Sequence, residues 1–123
     1  MNEIFNTNAY NLLSEFMRAV NTMSKAVLLE KFGITETILE EIQEALEDYF
    51  DGKQNISMAP MDMAFSEKVY SRPYIAIHEM NSPRTWDVEC IILANNKASE
   101  AILHVELFEN NNSLKLRYKY IGS

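Results

Sequence analysis

The stretch Ile102-Leu103-His104-Val105-Glu106-Leu107-Phe108-Glu109-Asn110-Asn111-Asn112-Ser113-Leu114-Lys115-Leu116-Arg117-Tyr118-Lys119-Tyr120-Ile121 decides the fold. Apolar residues alternate on both sides of a run of turn residues, which is the pattern of a β-hairpin. Antiparallel pairing across the four-residue turn Asn110–Ser113 sets Glu109 opposite Leu114. Phe108 then faces Lys115, Glu106 faces Arg117 and His104 faces Lys119. The other face pairs Leu107 with Leu116, Val105 with Tyr118 and Leu103 with Tyr120. That second set is uniformly apolar or aromatic, so it faces a core, and a slip of one residue would destroy it.

The period of two extends backward from this hairpin. Strand patterns cover Ala64–Tyr70, Tyr74–Met80, Thr85–Leu93 and Glu100–Glu109, with Leu114–Ile121 last. Short breaks rich in Asn, Ser and Pro separate them, which favours antiparallel neighbours in meander order. In Thr85–Leu93 the residues Trp86, Val88, Cys90 and Ile92 make a continuous apolar row. The outer face carries Ile91, Leu93, Ile102, Phe108 and Ile121 among charges. Such a face suits a partner or a second copy of the chain, as a homodimer, or partial cover by the connection 53–64 with Met58, Met61 and Met63.

Upstream of residue 53 the period is helical. A first helix is predicted from about Asn8, its N-cap, to Lys31, with Gly33 as the left-handed stop. Ala9, Leu12, Leu13, Phe16, Val20, Met23 and Val27 form its apolar stripe, and the weak helix formers Asn21, Thr22 and Ser24 mark a place for a break. Thr35 caps a second helix, with Ile34 and Leu39 as a hydrophobic staple and Gly52 at its end. The expected architecture is α+β: two N-terminal helices packed on a curved antiparallel sheet of four to five strands. It forms one domain over residues 1–123, helical over 1–52 and sheet over 64–121.

Charge divides the same way. Residues 1–52 hold ten acids and three bases, whereas residues 53–123 hold eight of each, so the whole net charge of −7 lies in the helical half. On the wheel of the second helix Glu36, Glu40, Glu44, Glu47 and Asp51 fall in one stripe, with Glu41 and Asp48 beside it. No Lys or Arg lies between Phe32 and Gly52. The i, i+4 pairs of an ordinary surface helix are therefore missing, and like charges at that spacing repel by a few tenths of a kcal/mol each. An acidic surface is repelled by a phosphate backbone, which argues against nucleic acid. A basic protein partner would be attracted instead. The longest apolar runs are too short to span a bilayer, the N-terminus has no signal-peptide pattern, and the lone Cys90 rules out a disulfide within the chain. A reducing cytoplasm is the expected location.

No pattern of residues spells out a reaction. His78 and His104 are isolated and lack the helix-borne spacing of zinc enzymes. Cys90 lies in an apolar row, the setting of an inert core thiol. With three glycines there is no nucleophile elbow and no phosphate-cradling loop. The carboxylates of the second helix lack the alternation and the glycine of a calcium loop. Lys115, Arg117 and Lys119 share a strand face, where Glu106 accounts for much of their charge. Neither a metal nor a cofactor is expected, and the expectation is a protein that is not an enzyme.

The order of long helices, a connection and a closing antiparallel meander resembles the nuclear-transport-factor-2-like, or cystatin-like cone, fold. The segments carrying the likeness are Thr85–Ile92, Ile102–Leu107 and Leu114–Tyr120, which look like that fold's long final strands. The resemblance implies one of three things: a small enzyme with a pocket between helices and sheet, a dimeric binding module, or an immunity protein that neutralises a bacterial toxin. Catalytic members place an Asp or His inside the cone, where this chain offers apolar and aromatic residues. The leading expectation is therefore a cytoplasmic immunity protein that blocks a basic, nuclease-like toxin domain through Glu36, Glu40, Glu44, Glu47, Asp48 and Asp51. The alternative is a cone-fold enzyme or small-ligand binder with a pocket lined by Trp86, Tyr118 and Tyr120. A secretion-type chaperone shares the size and acidity, yet those folds close with a helix where this chain closes with a strand.

Overall fold

A computed structural model describes residues 3–52 and 55–123 of the chain. Three helices lead: α1 (Glu3–Thr22), α2 (Lys25–Phe32) and α3 (Glu36–Tyr49). A two-residue strand β1 (Ile56–Ser57) and one helical turn α4 (Met61–Ala64) follow. Then come β2 (Lys68–Val69), β3 (Arg72–Pro73), β4 (Ile75–Glu79), β5 (Thr85–Ala94), β6 (Lys97–Asn110) and β7 (Ser113–Gly122). The fold is α+β, with the helices on one face of a curled antiparallel half-barrel. β5 and β6 are its spine. β7 flanks β6, and β1 and β4 share the far edge of β5, pairing with Ala94–Leu93 and Cys90–Trp86.

The predicted first helix is two helices. Its start is Glu3, so Asn8 is inside α1 and is not a cap. Met23 takes φ 54°, a left-handed conformation that stops α1, and α2 restarts from Ser24. The stop changes the phase of the stripe. Ala9, Leu13, Phe16 and Val20 are buried as the periodicity requires, but beyond the break Val27 is exposed and Leu28 takes its place in the core. Gly33 ends α2 at φ 65°, its N–H donating to Leu29 O.

The two long hairpins turn on asparagine pairs. Asn95-Asn96 and Asn111-Asn112 all have φ between 51° and 66°, the geometry that matches the strands' right-handed twist and that Asn tolerates. Asn110 and Ser113 themselves pair, so the last turn is two residues long, with Glu109 opposite Leu114 and Leu107 opposite Leu116 as expected. The register holds to Val105↔Tyr118 and then shifts, so that His104 meets Tyr120 and Leu103 meets Ile121. Lys119 is the extra residue of that bulge. The shift moves Tyr120 off the core side and onto the outer face, correcting its predicted place.

The core lies between the helices and the inner sheet face. Leu13, Phe16, Leu39 and Ile42 from the helices meet Val88, Cys90, Ile92, Leu103, Val105 and Leu107 from the sheet, and Met58 joins them. On the outer face Ile91, Leu93 and Ile102 are also buried, against the expectation of an open apolar patch. Their neighbour is the β2–β3 hairpin, in place of the predicted methionine cover. Tyr70 donates to Ala98 O at 3.3 Å, Arg72 meets Glu89 at 2.8 Å, and Tyr70 and Arg72 line a shallow cleft floored by Ile91 and Ile102. The predicted strand Ala64–Tyr70 is thus a helical end, a turn and the two residues of β2.

Candidate functional site

The acidic surface is built from the local rules of α3. Thr35 Oγ1 accepts from Ile38 N at 3.3 Å, closing the N-terminus, and Phe50 N donates to Leu46 O at the other end. Ile34 and Leu39, the two residues of the staple, are both buried. Leu39 and Ile42 anchor the inner side of α3, with Ile38, Ala45, Leu46, Tyr49 and Phe50 half-buried beside them. With that side committed to the core, the 100° step of the helix leaves Glu36, Glu40, Glu41, Glu44, Glu47 and Asp48 exposed. Asp51 is exposed as well, but α3 ends at Tyr49, so Asp51 lies beyond the wheel on which it was placed.

None of Glu36, Glu40, Glu44, Glu47 or Asp48 has an ion pair or a side-chain hydrogen bond among the described residues. Four cations elsewhere do have acidic partners. Lys31 pairs with Glu15, Arg72 with Glu89 at 2.8 Å, Arg117 with Glu106 at 2.6 Å and Lys119 with Asp87 at 3.0 Å. The last turn of α3 has no basic residue. It carries Glu47 and Asp48 at the end where the helix dipole is itself negative, which is the unfavourable placement by about 0.3–1 kcal/mol per charge. Glu41 also acts inward: its charge adds to burial in pushing the Tyr118 phenol up to about 12, burial being the larger cause.

A cleft of about 490 Å³ opens where α3 and α1 end. Val20 and Ile56 form its buried floor, Met23, Leu46 and Phe50 its half-buried walls, and Glu47 stands at its rim. This cleft is not legible in the sequence. Its residues read as ordinary packing positions on two helices, and only the tertiary meeting of the two C-terminal ends leaves a gap between them.

The predicted aromatic pocket is not assembled. Trp86 packs on Phe5 with ring centroids 4.6 Å apart, Tyr118 stacks on Phe16 at 5.9 Å, and Tyr120 lies outside on His104 at 4.1 Å. Three different neighbours hold three different rings, and the bulge puts Tyr120 on the opposite face from the other two. His78 is exposed on β4, while His104 is half-buried, with Nδ1 3.8 Å from Glu89. Burial lowers the His104 pKa, against the smaller opposing pull of Glu89. Cys90 is fully buried, and burial pushes its thiol up to about 12, which withholds the thiolate a nucleophile needs. Among the described residues no group of three His, Cys, Asp or Glu is placed to hold a metal ion, and no helix is long and apolar enough to cross a membrane.

Compared with protein-family models, curated proteins and solved structures, the chain matches none of them.

Proposed function

We propose that this chain is a non-enzymatic, cytoplasmic binding protein that docks a basic protein surface through α3. In its most concrete form it is an immunity protein that neutralises a basic, nuclease-like toxin domain. One observation carries the reading: the exposed side of α3 carries six carboxylates and no basic residue, and Glu36, Glu40, Glu44, Glu47 and Asp48 have no ion pair among the described residues. A row of carboxylates at helical spacing can stand in for phosphates against a cleft lined by Arg and Lys, and its field would speed the encounter. The resemblance to the cone fold, whose members include such inhibitors, adds support of a weaker kind.

The test is kinetic. The triple variant Glu40→Lys, Glu44→Lys, Glu47→Lys is titrated against purified basic nuclease domains, beginning with any encoded by a neighbouring gene. Association is expected to slow by about tenfold or more and to lose most of its salt dependence. Equal rates for wild type and variant would remove α3 from the interface.

A further inference from the structure

We propose that the cleft between the ends of α1 and α3 is the anchor of that interface, taking one long arginine or lysine side chain of a protein partner. This rests on the reading of α3 as the docking face and narrows it to its C-terminal half. The cleft asks for two things at once. Its floor and walls, among them Val20, Met23, Leu46 and Phe50, are apolar, and its rim carries Glu47. A bare inorganic cation would leave the walls uncovered. A wholly apolar side chain would bring nothing to Glu47, in the last turn of a helix whose own end is negative. An amphipathic cation satisfies both, its methylene stem lying along the walls and its charge reaching the rim.

Three details fit that occupant. The volume falls within the roughly 300–1,000 Å³ of ligand-sized pockets, enough for an extended side chain. The Phe50 ring supplies a face on which a guanidinium can rest. The amide of Gln43 also lines the cleft and has no hydrogen-bond partner among the described residues, so its oxygen is available to a guanidinium N–H. Asn21, by contrast, is committed to the scaffold. It donates to Asn55 Oδ1 at 2.9 Å and accepts from Ile56 N at 2.8 Å, fixing the cleft floor.

The experiment is an amide-resolved NMR titration of the full chain with four probes: n-butylguanidinium, guanidinium ion, n-butanol and a heptalysine peptide. Butylguanidinium is expected to shift Met23, Leu46, Glu47 and Phe50 saturably, with an apparent Kd about fivefold or more below that of guanidinium. Glu47→Gln is expected to weaken it by a similar factor while leaving the rest of the spectrum unchanged. Equal binding by butanol, or insensitivity to Glu47→Gln, would overturn the anchor by showing that charge plays no part. Equal binding by guanidinium, with shifts spread along Glu36–Asp48, would overturn it by showing that the stem plays none. Heptalysine separates the two levels. If it shifts the α3 amides while butylguanidinium misses the cleft, the anchor falls and the acidic docking face stands; if it shifts nothing, both fall.

Discussion

The outer face of the sheet and the outer face of α3 both carry charge and are built on opposite rules. On the sheet, Glu106 faces Arg117 across β6 and β7, Lys119 reaches Asp87 on β5, and Arg72 of the covering hairpin reaches Glu89. On α3 Glu36, Glu40, Glu44, Glu47 and Asp48 stand at i, i+3 and i+4 spacing without an ion pair among the described residues. Charges on the sheet contribute to holding one arrangement of strands. Charges on α3 work weakly against the helix that carries them, so that helix must be held by its other side. The difference separates a surface shaped by folding from one whose charge the fold does not use.

The largest effect is expected from the buried side of α3, which holds the helix in place. Ile42 is fully buried between α3 and the sheet. Ile42→Ala should destabilise the chain by about 2–5 kcal/mol, through lost transfer energy and the cavity left behind. Urea unfolding measures it. A loss below about 1 kcal/mol would mean that α3 is only loosely docked, and the contrast between its two sides would lose its foundation.

The same contrast explains what the sequence could and could not disclose. Thr35, Gly33, the buried side of α3 and most of the last hairpin's register follow from local rules and were legible. Bulges were not, because an extra residue leaves no mark in residue type. Lys119 at the β6–β7 bulge looks like any alternating strand residue, yet it carries Tyr120 from one face to the other. The β2–β3 hairpin hid for a related reason. Its tip residues Tyr70 and Ser71 have φ of 53° and 66° without being the Gly or Asn that usually announce such a turn. The candidate acidic site was legible because helical spacing alone sets it; the cleft beside it depends on how two helix ends meet.

On the sheet, removing a charge should destabilise. Arg117 pairs with Glu106 and lies over the Phe108 ring at 4.5 Å, so Arg117→Gln gives up both contacts. Arg117 is largely exposed, which screens the pair, and a loss of roughly 1 kcal/mol is expected, smaller in high salt. The sheet also sets a pH dependence. The folded state holds His104 below its ordinary pKa of 6.5, chiefly by burial. The unfolded chain therefore binds its proton first as pH falls, so this contribution to stability is present above about pH 6.5 and is lost progressively below it. His104→Phe should flatten that part of the profile. An unchanged acid slope would place the titrating group elsewhere.

On α3, reversing a charge should do the opposite, and the effect is the smallest of the set. Glu44 has Glu40 four residues before it and Asp48 four residues after it. Glu44→Lys turns these two repulsions, and those with Glu41 and Glu47 three residues away, into attractions and adds a cation near the helix's negative end. Each contact is solvent-exposed, so a gain of only about 0.5 kcal/mol is expected, read from the urea midpoint at low ionic strength and shrinking as salt is added. The sign matters more than the size. A stabilised variant that associates more slowly with a basic protein would mean that α3 gives up stability to keep its charge for another molecule. A variant that is destabilised instead would mean that the carboxylates of α3 are already at rest within the fold, and the reason to look for a partner on that face would be gone.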